Sequence, residues 1–190
     1  MQFEDILEFW FGKPKAANYG KLHKEWFIKN INFDKEVRSR FLETYQKAAS
    51  GKLNSWQESP LSCLALIIVL DQFPRNMFRD KPQAFATDEL ALKFAKYACD
   101  RDFDKELLSV QRWFIYCPFE HSENLEDQQK AVELFSTLKD DPDSASAIDY
   151  AYRHLEVIKR FGRFPHRNKI LGRQSTPEEE EFLKQPGSSF

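Results

Sequence analysis

No stretch of this chain alternates apolar and polar residues as a half-buried strand must, so the sequence reads as all-α. Glycine is scarce, with 6 copies in 190 residues, and no Gly-rich loop that could cradle a phosphate is present. Cysteine numbers 3, an odd count, and no Cys-x-x-Cys pair occurs. That excludes a disulfide framework and a thiolate metal pair, and points to reduced core residues of a cytoplasmic protein. No His-Glu-x-x-His and no Glu-x-x-His motif occurs, so neither a metal nor any other cofactor is expected. The longest apolar run, residues 64–70, is too short to span a bilayer. The first residues, MQFEDILEFWFG, lack the basic-then-apolar order of a signal peptide. With a formal net charge of −2, bulk electrostatics gives no reason to expect nucleic acid or membrane as a partner.

What the chain has in abundance is phenylalanine, 18 copies, within an aromatic content of 15%. Rings of that size must be buried, so an aromatic core is expected, in one domain spanning 1–190. The spacing predicts a first helix over 3–11, ended by Gly12, then the loop KPKAANYGK. One or two turns follow over 22–30, with Trp26 and Phe27 packing inward. A helix capped by Asp34 runs through Val37, Phe41, Tyr45 and Ala48 to Gly51. Residues 60–73 predict a buried helix broken by Pro74. Thr87 is expected to cap the next, with Asp88 and Glu89 matching the macrodipole of its first turn. A helix over 104–116 should stop at Pro118, another should start at the cap Ser122, and the last long one should cover 144–161. Thr176, Pro177 and Glu179 predict a capping box on a short terminal helix.

The densest polar signal is residues 161–176, FGRFPHRNKILGRQST, where three arginines, a histidine and an asparagine are threaded between phenylalanines. Charges in such company need partners, either inside the fold or on a ligand. The phrase Phe-Pro followed by Arg-Asn occurs twice, at 73–76 and at 164–168 with His166 inserted. Two helix ends facing each other are the simple explanation. Polar residues also interrupt apolar faces at Asp71 and Gln72, at Glu120, His121 and Glu123, at Gln128 and at His154.

The segments LALIIVLDQFPRNMFR, AFATDELAL, FIYCPFEHSENLEDQ and RFGRFPHRNKILGRQSTPEEEEFL, with the terminal PGSSF, resemble the bacterial family called domain of unknown function 924. The resemblance covers almost the whole chain, including WFGK and FDKEVRSRF. It implies stacked antiparallel helix pairs in a tetratricopeptide-like right-handed superhelix. It implies no activity, substrate or cofactor. The family's polar signatures fall on residues already singled out above.

These residues predict that the LDQFPRN segment, the HSE segment, His154 and the FPHRN segment meet at one place, because shared partners cost less than four separate solutions. The expected site comprises Asp71, Gln72, Arg75, Asn76, Glu120, His121, Glu123, Gln128, His154, Arg160, Arg163, His166, Arg167 and Asn168. Asp71, Glu120 and Glu123 are the expected partners of Arg75, Arg163 and Arg167. Three readings stand side by side. The set is a binding module for a small anion or peptide, held by Arg160, Arg163 and Arg167. Or it serves a small hydrolase or transferase with His121 or His154 as general base. Or it is a closed structural lock. Oligomeric state cannot be read from the sequence.

Overall fold

The most apolar stretch becomes the most buried helix. Every residue from 63 to 71, Asp71 included, is fully shielded from solvent. In the computed structural model, which describes residues 1–17 and 19–189, this stretch belongs to α3 (Pro60–Met77). The expected loop KPKAANYGK and the terminal PGSSF each contain one residue outside that set, Asn18 and Phe190. The other α-helices among the described residues are α1 (Phe3–Phe11), α2 (Ile31–Ala49), α4 (Asp88–Asp100), α5 (Ser109–His121), α6 (Leu125–Ser136), α7 (Ala145–Phe161) and α8 (Pro177–Leu183). No strand occurs among the described residues.

From α2 to α7 each helix packs on its successor, and α1, α3, α5 and α7 also touch one another in turn. The odd-numbered helices therefore form one continuous layer with α3 near its middle. Aromatic rings fill the space between them. Trp10 meets Phe73 and Phe114 edge-on or tilted, with centroids 5.7 and 5.5 Å apart, and Phe41 stacks on Phe73 at 4.8 Å.

Pro74 does not break α3, and Pro118 does not stop α5; both lie inside their helices. An internal proline removes one amide donor and orphans the carbonyl four residues back. For Pro74 that carbonyl is Leu70 O, and the Thr87 hydroxyl donates to it at 2.6 Å. Thr87 is thereby diverted from capping α4, where it makes no side-chain cap bond. The uninterrupted α3 carries Arg75 one turn beyond Asp71.

Several other expected boundaries also move. Asn30, not Asp34, caps α2, accepting from the Asn32 and Phe33 amides. Asp34 instead receives Asn76 and a two-pronged Arg79. Asn124, not Ser122, caps α6. The helix expected over 104–116 begins only at Ser109, after a short 3-10 turn at Phe103–Glu106. Trp26 packs inward against Phe114 at 4.9 Å, but Phe27 points outward, 65% exposed. The capping box at Thr176 forms as expected.

Candidate functional site

The candidate site forms where the C-terminal ends of α3 and α5 meet the loop after α7. Because Pro118 leaves α5 intact, the helix delivers Glu120 and His121 at its last turn. His121 Nδ1 lies 2.7 Å from Asp71 Oδ1. Gln72 donates to the other Asp71 oxygen at 2.7 Å, and Arg75 Nη1 donates to the Asp71 carbonyl at 2.7 Å. Burial alone would raise the Asp71 pKa. Arg75 and His121 outweigh it and hold the carboxyl well below the usual range. Burial and the Arg75 cation lower the His121 pKa, against the pull of Asp71, so the imidazole is neutral at pH 7. With Asp71 ionised, the proton sits on Nδ1 and the lone pair on Nε2.

Arg75 forks onto Asp88 at 2.8 and 3.0 Å, and burial notwithstanding, the two carboxylates hold its pKa above the ordinary arginine value. Arg167 approaches the same carboxylate, but only to 3.5 Å. Its Nη1 donates to the His121 carbonyl at 3.0 Å, and its Nε is buried without a hydrogen-bond partner. The guanidinium lies between the rings of Phe164 and Phe85, 4.5 and 4.7 Å from their centroids. Burial and the neighbouring Arg75 bring its pKa down to about 10. The side chains of Arg75, Asp88 and His121 remain 20%, 18% and 16% exposed, so the assembly has a wet edge.

A second network lies behind it. Glu123 takes both prongs of Arg173 at 2.7 and 2.9 Å and also the Phe164 amide at 2.7 Å. Arg173 reaches back to the Phe164 carbonyl and the Asn168 side chain. Arg163 forks onto Glu179 at 2.7 Å, and Asn168 joins that carboxylate and Ser175. Gly162, in the left-handed conformation with φ 67°, ends α7 and turns the chain into this network. His154 Nδ1 is 2.8 Å from both Glu120 and the Tyr150 carbonyl, and its ring meets Phe164 edge-on at 5.4 Å. His166 meets the same phenylalanine in a tilted contact at 5.6 Å, and burial beside Arg167 and His154 brings its pKa down to about 3. Gln128 is buried, and its amide group donates to the Glu120 and Ser122 carbonyls at 2.6 Å, closing the end of α5.

The structure therefore contains a buried polar cluster of Arg, His, Asp and Glu that joins the LDQFPRN, HSE, His154 and FPHRN segments. Two expected members lie elsewhere. Asn76 faces Asp34 on α2, and Arg160 pairs with Glu178 at the surface. The expected pairing also differs: Arg163 takes Glu179, Glu123 takes Arg173 and Glu120 takes His154. Sequence reasoning missed Phe85, Asp88, Arg173 and Glu179. Asp88 and Glu179 were legible only as helix-start residues, roles that gave no sign of their ion pairs. Two surface hollows, of about 530 and 300 Å³, lie away from the cluster, on α2 and beside Trp113. No group of three or more metal-ligating side chains occurs among the described residues.

Fold and site together define a helical protein whose polar cluster bridges four segments. Residues 6–187 match the family described as bacterial protein of unknown function (DUF924), and the chain belongs to that family. It is similar to a solved structure, the protein of unknown function ATU0120 from Agrobacterium tumefaciens, at 40% identity and a TM-score of 0.86, with 96% of each chain covered. No curated protein matches the chain.

Proposed function

We propose that the chain is a binding module for a small anion, held at the wet edge of Arg75, Asp88 and His121, where the buried Arg167 lies just behind it. One observation carries the reading. Arg167 is a buried cation short of partners: one carbonyl bond, a carboxylate no nearer than 3.5 Å, and a buried Nε with none. The Asp88 carboxylate that would neutralise it accepts its two short bonds from Arg75 instead. An incoming anion would supply what Asp88 does not. The sequence expectation for Arg160 and Arg163 as ligand groups is narrowed here, because Glu178 and Glu179 occupy them. The succession of packed helices supports a tetratricopeptide-like right-handed superhelix as the frame for this edge. Three cysteines without a disulfide support a cytoplasmic setting.

The test is a thermal-shift and calorimetric titration with acetate, benzoate and inorganic phosphate. Wild-type protein should be stabilised by mass action, and Arg167→Gln should lose that response while still unfolding cooperatively. Equal responses in both proteins, or none in either, would remove the reading.

Hydrolase or transferase chemistry is a second reading, and one observation favours it: the 2.7 Å bond from His121 to a fully buried Asp71. It favours His121 over His154 as the base, since the His154 side chain is enclosed at 5% exposure.

A further inference from the structure

Resting on the anion-site reading, we propose that this edge is a hydrolytic site for esters that carry a carboxylate. His121 is the general base and Asp71 its positioning residue. Asp71 cannot swing away, because Gln72 holds its second oxygen and the side chain is fully buried. The His121 ring is therefore fixed with Nδ1 committed to Asp71. Its Nε2 makes no hydrogen bond among the described residues and is not sealed from solvent. That is the geometry a base needs: one nitrogen oriented, the other facing outward.

The anion anchor is tied to the base by one bond. Arg167 donates to the main-chain carbonyl of His121, so the anchor and the base share one residue's position in the fold. The charges facing the ring are Asp71 and Arg75 from α3 and Asp88 from α4, with Arg167 added from the loop after α7. Two guanidiniums against two carboxylates leave the edge neutral, which suits a monoanion such as a carboxylate better than a phosphate dianion. Phe164 is fully buried, but Phe85 beside Arg167 is only half-buried and offers a ring edge to an aromatic acid.

Water is the nucleophile. Cys117 lies one turn before His121 on α5, but burial beside Glu120 and Asp71 drives its pKa well up, so it stays a thiol. In the step, water gives a proton to His121 Nε2 and its oxygen bonds to the ester carbonyl carbon, with the carbonyl electron pair moving onto oxygen. The tetrahedral adduct then expels the alcohol or phenol oxygen, which takes the proton back from the imidazolium. One C–O bond forms, one breaks, and nothing is oxidised.

The experiment compares hydrolysis of 4-acetoxybenzoate with that of neutral phenyl acetate. It pairs this with benzoate binding and with labelling of His121 by diethylpyrocarbonate. Wild-type protein should prefer the carboxylate ester by about tenfold or more, a contribution of ordinary size for one charge-assisted bond. His121→Asn keeps an amide that can donate to Asp71 but has no Nε2. It should lower kcat by about 10²- to 10⁴-fold with benzoate affinity retained. Arg167→Gln should collapse the preference towards one. His121 should be labelled rapidly at pH 7 and protected by benzoate. Benzoate binding without His121-dependent hydrolysis overturns the base and leaves the anion site standing. His121-dependent hydrolysis indifferent to the carboxylate and to Arg167 overturns the anion site and leaves the base. A His121 that resists the reagent at pH 7 overturns the proposal outright.

Discussion

Two polar networks sit back to back in this molecule, built from the same residue types and completed to different degrees. Behind Phe164, each carboxylate meets an arginine as a fork: Glu123 with Arg173, Glu179 with Arg163. Their remaining capacity goes to the Phe164 amide, to Asn168 and to the Thr176 cap. In front, Asp88 serves two arginines and satisfies one, and His121 keeps a nitrogen for solvent. Residue content does not separate a lock from a site. Completeness of pairing does, because a filled network gains nothing from a ligand and an unfilled one does.

The sharpest way to break the comparison is Asp71→Ala. It leaves Arg75 short of a carboxylate and His121 without its partner, around a fully buried position. We expect a loss of about 3–5 kcal/mol by chemical denaturation, the usual cost of breaking a buried pair. A loss under about 1 kcal/mol would show that the front network is not buried as described.

Acid should act first through the buried histidines and only later through the carboxylates of the back network. His166, at about 3, and His121, also lowered, lie below the ordinary histidine value of 6.5. The unfolded chain therefore binds more protons than the folded one below pH 6.5, and stability falls as pH drops from there towards 3. Each such histidine contributes a slope approaching about 1.4 kcal/mol per pH unit within its window. Glu123, and Glu179 at about 2, are also depressed, but from 4.5, so their contribution is present above pH 4.5 and is lost only below it. Urea midpoints measured from pH 7 to pH 5 should thus decline in wild type and decline less in His166→Gln. A flat profile over that range would remove the buried neutral histidines from the account.

Glu123→Gln tests the back. The side chain is 29% exposed, so solvent screens part of its interaction, and we expect a loss of about 1–2 kcal/mol. Benzoate binding at the front should survive. If the two networks act as one, that variant will lose ligand response as well, and the division drawn here fails.

Much of the fold was legible because helix periodicity and capping are local. The first helix, the buried helix from Pro60 and the capping box at Thr176 were all visible in short windows of sequence. The prolines misled for a reason equally physical. Pro74 orphans the Leu70 carbonyl, and the rescue comes from Thr87, 17 residues away, which no local window contains. Convergence of the polar segments was legible on energetic grounds, since each needed partners. The identity of those partners was not. Arg163 and Glu123 are close in the fold, yet each prefers another residue whose backbone places it at fork distance.

The sequence alone therefore determined an all-helical chain, its family, and the need for a shared polar cluster. Those follow from spacing, from motif and from the cost of unpaired charge. Tertiary structure decided which carboxylate each arginine meets, that Asn76 turns away to Asp34, and that Arg167 is left under-paired. Ion pairs across tens of residues depend on distances of a few tenths of an ångström, and only the packed helices fix those.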